Sequence, residues 1–86
     1  MKNKSYEILE KLLEEYYDDI VEISAGRGSL YAKFNDFVIE AYGLNSKFYN
    51  LITTTNKGVE FKRLDMLNLY PYVDIKFEIE SVKRIK

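Results

Sequence analysis

The sequence predicts an α+β fold: one N-terminal helix packed on a strongly twisted antiparallel sheet of five or six strands arranged as a meander. Apolar residues recur every three or four positions up to about residue 19, and every second position thereafter. Two short turn signals fall where neighbouring strands would reverse. The registers they set agree on which face is apolar. A chain of 86 residues has too little apolar surface to divide between two cores, so residues 1–86 read as one domain.

The helix spans about residues 4–19. Tyr6, Leu9, Leu12, Leu13, Tyr16 and Ile20 lie on one stripe, and Ser5 or Asn3 is placed to cap the start. Glu7 with Lys11 and Lys11 with Glu15 form i,i+4 pairs on the opposite side. Strands follow at about 20–25, 29–34 and 37–43. A turn at Gly26-Arg27 sets Ile23 against Leu30 and Val21 against Ala32. A second turn at Asn35-Asp36 sets Phe34 against Phe37, Ala32 against Ile39 and Leu30 against Ala41. KFYNLITTT, rich in aromatic and β-branched residues, makes a fourth strand at about 47–55. Gly58, free to take positive φ, turns the chain into a fifth strand at about 59–66. In the last segment Val73, Ile75, Phe77 and Ile79 alternate with Asp74, Lys76, Glu78 and Glu80, which predicts a sixth, half-buried strand at about 72–83.

Composition excludes most familiar catalytic kits. Without cysteine or histidine there is no thiolate nucleophile, no disulfide framework, and no sulfur or imidazole ligand for a metal. No cofactor is expected and an enzyme is not the favoured reading. No apolar run is long enough to cross a membrane, so a cytoplasmic protein is expected. A formal charge of -1 gives no broad basic field for a nucleic-acid backbone. The abundance of Lys, Asn, Ile, Tyr and Phe, all with AT-rich codons, points to an AT-rich genome such as that of a phage, an archaeal virus or a mobile element.

The segment EEYYDD, residues 14–19, sets four carboxylates around two tyrosines. On a helical projection Tyr16 faces inward and Tyr17 lies on the edge of the stripe. Glu14 and Asp18 point to solvent, and Glu15 and Asp19 flank the other side. The acids do not converge, so a metal site is not expected. They are solvating residues or a contact patch, and acids at a helix C-terminus oppose the macrodipole. Arg27, between two glycines at a hairpin tip, is a second candidate contact. On the outer face of the meander, Tyr31, Lys33, Val38, Glu40 and Tyr42 combine aromatic rings with a cation, unless Phe48, Ile52 or the C-terminal segment covers them. Lys2 and Lys4 with Lys83, Arg84 and Lys86 form a positive patch if the termini meet.

The run GSLYAKFNDFVI resembles the glycine, hydrophobic and Phe-Asp-x-Phe run of the Sm-like RNA-binding family, a helix followed by five bent strands. The spacing from Gly28 to Phe34 departs from that family's, and none of its binding residues is carried over. The favoured function is a non-catalytic protein-binding module that occludes a larger protein through Glu14, Tyr17, Asp18, Asp19 and Arg27. Phage inhibitors of host defence, including anti-CRISPR proteins, and toxin-neutralising immunity proteins share its size and composition. The alternative is a single-stranded nucleic-acid binder using Arg27, Tyr31, Lys33 and Tyr42. A homodimer through the C-terminal strand is a further expectation.

Overall fold

The computed structural model describes residues 4–66 and 70–85, and it is α+β. Helix α1 (Lys4–Tyr16) passes through a single 3-10 turn (Tyr17–Asp19) into five strands: β1 (Ile20–Gly26), β2 (Ser29–Phe34), β3 (Phe37–Tyr42), β4 (Phe48–Thr55) and β5 (Gly58–Asp65). The strands pair antiparallel in chain order, as a meander should. The chain ends in a second helix, α2 (Pro71–Ile85).

The sixth strand expected at 72–83 is therefore a helix, which also removes the strand through which a C-terminal homodimer would extend the sheet. Pro71 opens α2 where its missing N–H costs nothing, Asp74 lies in the first turn, and Lys83 and Arg84 lie in the last, where each charge complements the helix dipole. The helix buries Ile75 and Ile79 and partly buries Tyr72 and Val82. Val73 (47% exposed) and Phe77 (62%) lie outside that buried stripe, at the edge of the helix. Those four inward residues keep helical spacing, which the period-2 alternation overlies.

In α1 the buried positions are Ser5, Ile8, Leu12 and Tyr16, with Leu9 beside them, whereas Tyr6 is largely exposed. The stripe is thus turned about one residue from the one the sequence suggested. Ser5 does not simply cap: its hydroxyl donates to Gly26 O at 2.7 Å, tying the start of α1 to the end of β1. Asn3, the other candidate cap, lies outside the described residues.

The β2–β3 register is the predicted one, with Ala32 opposite Ile39 and Leu30 opposite Ala41. The Phe34 and Phe37 rings stack with centroids 4.5 Å apart. The first hairpin is shifted. Its turn is Arg27-Gly28, so Ile23 faces Ala32 and Ala25 faces Leu30, and a bulge between Ile20 and Glu22 leaves Val21 exposed. Gly28 decides this, because its φ of 69° suits a residue without Cβ and a side chain there would meet Asn45. Ile23 still shares the inner face with Leu30 and Ala32, since a two-residue register shift preserves the side.

Both helices lie on that inner face. Ile8, Leu12, Ile75 and Ile79 join Leu30, Ala32, Phe34, Ile39, Ala41, Tyr49 and Leu51 in one core. β1 and β5 are the two ends of the sheet and do not pair with each other, so the sheet is open rather than closed into a barrel.

Candidate functional site

The EEYYDD segment is, in large part, the seat of α2. The Tyr16 hydroxyl donates to Glu80 Oε1 at 2.8 Å, and its ring meets Phe34 edge-on at 6.3 Å. Burial, followed by the hydrogen bond to Glu80 and nearby carboxylates, raises the Tyr16 phenol well above the usual tyrosine range, so it remains a neutral donor. Glu15 pairs with Lys76 at 3.2 Å, and Asp19 pairs with Lys83, whose ammonium also lies over the Tyr16 ring. The acids that oppose the α1 dipole are thus offset by lysines from α2. Glu14, Tyr17 (71% exposed) and Asp18 are left facing solvent.

Arg27 is exposed but lies at the other end of β1 from Asp19, about 20 Å away at the usual rise per strand residue. The acidic segment and Arg27 therefore lie at opposite ends of β1. Nor do the basic ends meet. Lys4 sits near the Tyr70 ring before α2 begins, whereas Lys83 belongs to its last turn; Lys2 and Lys86 lie outside the described residues.

The outer sheet face is open among the described residues, because α1 and α2 both occupy the inner one. Phe48 and Ile52 do not cover Tyr31 and Tyr42; they extend the same face. Register sets Ser24, Tyr31, Glu40, Ile52 and Phe61 in one cross-strand row. A neighbouring row runs Ser29, Tyr42, Asn50 and Arg63, and another runs Glu22, Lys33, Val38, Thr54 and Val59. Tyr42 and Phe48 are each 42% exposed, and Val59 and Phe61 about two-thirds. The Tyr42 hydroxyl donates to Glu40, which raises its phenol above the ordinary range. The Arg63 guanidinium lies 4.9 Å from the Phe48 ring centroid.

This face joins Tyr31, Lys33 and Tyr42 as the sequence suggested, and adds Phe48, Ile52, Val59, Phe61 and Arg63. The missed half carried a signal: in VEFKRL the apolar Val59 and Phe61 alternate with Glu60 and Lys62. Only the pairing of β5 with β4 shows that the apolar pair lies outward. Both charge signs are interspersed here, which suits contact with a protein surface better than with a phosphate backbone.

On the inner side, a groove of about 310 Å³ separates α2 from β4 and β5, walled by Leu51, Leu64, Val73 and Phe77. At its edge Glu78, 4% exposed, accepts from Thr53 Oγ1 at 3.0 Å and from Lys62 Nζ at 2.7 Å. Asp74 is 9% exposed and its Oδ2 meets no donor among the described residues. No group of three or more potential ligands is arranged to hold a metal ion among the described residues, and no helix among them is long and apolar enough to cross a membrane.

Desolvation pushes the Asp74 carboxyl above its ordinary value of 3.8. The folded chain then binds this proton more tightly than the unfolded one. Asp74 therefore subtracts stability progressively as pH rises from near 3.8 through the raised folded value, and the penalty is complete above it. Asp74→Asn is expected to gain on the wild type in melting temperature over that window and to lose the advantage on acidification. Thermal melts at a series of pH values measure this, and a pH-independent offset would contradict it.

Comparison with known protein families, curated proteins and solved structures finds no match to this chain.

Proposed function

We propose that the protein is a non-catalytic binding module that occludes a larger protein through the open outer face of its sheet. The observation that carries this reading is that uncovered face, where Tyr31, Tyr42, Phe48, Ile52, Val59 and Phe61 are set among charges of both signs. Tyrosine and phenylalanine give contact area at low conformational cost, and large apolar patches rimmed by polar groups mark interaction sites. Glu14, Tyr17 and Asp18 form a smaller acidic patch at one end, and Arg27 a separate contact at the other. Size, acidity and residue usage fit a phage, viral or mobile-element inhibitor, anti-CRISPR-like or immunity-protein-like, acting in the cytoplasm.

A second reading rests on one arrangement: Tyr31 and Tyr42 lie on the same open face as the exposed Lys33, a platform on which bases of a single strand stack. Affinity capture from host lysate, with and without nuclease at two salt concentrations, separates the two. The expected result is one protein retained after nuclease and at the higher salt, with retention reduced at least tenfold by Tyr31→Ala with Tyr42→Ala and unchanged melting behaviour. Recovery that vanishes with nuclease transfers the function to nucleic acid. Asp18→Lys tests the acidic patch, and unaltered retention removes it from the interface.

A further inference from the structure

We infer that β5 pairs antiparallel with β5 of a second copy about a two-fold axis at Phe61, joining two five-stranded sheets into one. The inference goes beyond partner binding and does not rest on it. β5 ends the sheet, and no strand among the described residues pairs with its far side. It runs eight positions, Gly58 to Asp65, with no register shift and no proline. The opposite edge, β1, is broken by its bulge and lies beside α1. A long edge strand with no bulge and no proline, such as β5, offers a continuous row of unpaired backbone groups to another strand.

The backbone fixes which groups are offered. The Asn56-Lys57 turn closes on Thr55 and Gly58, and at the far end Met66 N donates to Lys47 O at 2.9 Å. Peptide groups of even-numbered residues therefore turn toward β4. Those of Val59, Phe61 and Arg63 turn away from it. A two-fold axis perpendicular to the sheet must pass through a residue, because directly opposed side chains share a face. The near-central choices are Glu60, Phe61 and Lys62.

Charge selects among them. An axis at Glu60 opposes two glutamates, and one at Lys62 opposes two lysines. An axis at Phe61 sets Glu60 of each copy against Lys62 of the other, twice. It also makes Phe61 self-opposed and Val59 opposite Arg63 as hydrogen-bonded pairs, giving about six inter-chain backbone bonds. The Phe61 rings then meet side by side on the outer face. Inward-pointing charges ordinarily protect an edge from association. Here, self-complementary, they admit one register and reject its neighbours. Lys62, 45% exposed in its side chain beside Glu78, has a free side from which to meet Glu60 of the second copy.

Sedimentation across a wide concentration range, with oxidative cross-linking, tests this. The wild type is expected to pass from monomer to dimer, and Glu60→Lys to raise the dissociation constant about tenfold by placing like charges opposite each other twice. Glu60 is exposed, so that variant should keep its circular dichroism spectrum and melting temperature at low concentration. The chain has no cysteine, so Phe61→Cys gives a single reporter, placed within disulfide reach of its copy by this register alone. Val59→Cys is expected not to cross-link to itself. A protein monomeric at every concentration overturns the inference, as does a dimer indifferent to Glu60→Lys or one cross-linked through position 59 rather than 61. Capture of a partner by the outer face is scored separately, with Tyr31→Ala and Tyr42→Ala on β2 and β3, away from the β5 edge, so loss of the dimer and loss of capture are distinguishable.

Discussion

Replacing Ile79 with alanine is expected to lower the unfolding free energy by about 2–5 kcal/mol, whereas Phe77→Ala should change it by no more than about 0.5 kcal/mol. Ile79 is fully buried between α2 and the sheet, and deleting its branch forfeits both transfer free energy and packing. Ile79 belongs to the single buried core that also holds Leu12 and Ile75, and a closely packed interior of this kind relaxes only in part around a deleted side chain. Phe77, two positions earlier, is 62% exposed on the rim of the groove. The contrast depends on helical geometry: in a strand, residues two apart share a face, and the two substitutions would cost similar amounts. Ile75→Ala and Val73→Ala should repeat the split, since Ile75 is fully buried and Val73 half-exposed. Urea denaturation measures all four. Comparable losses at 77 and 79 would return the segment to a strand.

That segment explains how much of the fold was legible. The meander could be read because two turns independently placed Leu30, Ala32, Phe34, Phe37, Ile39 and Ala41 on one face, and a sheet with one buried face tolerates no odd-residue slip. A shift of the first turn from Gly26-Arg27 to Arg27-Gly28 changed partners without changing faces, so the error was local. In YVDIKFEIESVKRI, by contrast, the same side chains satisfy both periods. Ile75 and Ile79 belong to a period-2 row and equally to a helical stripe with Tyr72 and Val82. The tie was broken by cues at the ends, Pro71 before the pattern and Lys83-Arg84 after it, rather than by the apolar pattern itself.

The same ambiguity bears on the candidate site. A strand over 72–83 gives the acids of EEYYDD no lysines to meet, so from sequence they stand as an unexplained patch. Glu15 with Lys76 and Asp19 with Lys83 are separated by more than 60 residues in sequence, and only two helices running parallel on one sheet face bring them together. The open outer face fared better. Its Tyr31, Lys33 and Tyr42 follow from strand alternation alone, while Phe61 and Val59 required the β4–β5 register.

Lys62→Met is expected to destabilise the fold by about 2 kcal/mol, and the double variant Lys62→Met, Glu78→Met to recover most of that loss. Glu78 lies in α2 with its side chain 5% exposed, and Lys62 in β5 supplies its compensating charge. Removing the lysine leaves a buried carboxylate held by the Thr53 hydroxyl. Breaking a fully buried pair from one side costs about 3–5 kcal/mol, and the smaller figure here reflects the 45% exposure of the Lys62 side chain, which lets water share the work of solvating Glu78. Substituting both partners removes the stranded charge. The two methionines then face the apolar walls of the groove, Leu51, Leu64, Val73 and Phe77, so the cost of desolvating ions is replaced by burial of flexible apolar chains. Denaturation should be compared at protein concentrations where all variants share one oligomeric state, because Lys62 also faces the free edge of β5. Additive losses in the double variant would mean that Lys62 and Glu78 act separately. A non-additive recovery would show that the ion pair serves chiefly to neutralise a charge that α2 buries against the sheet.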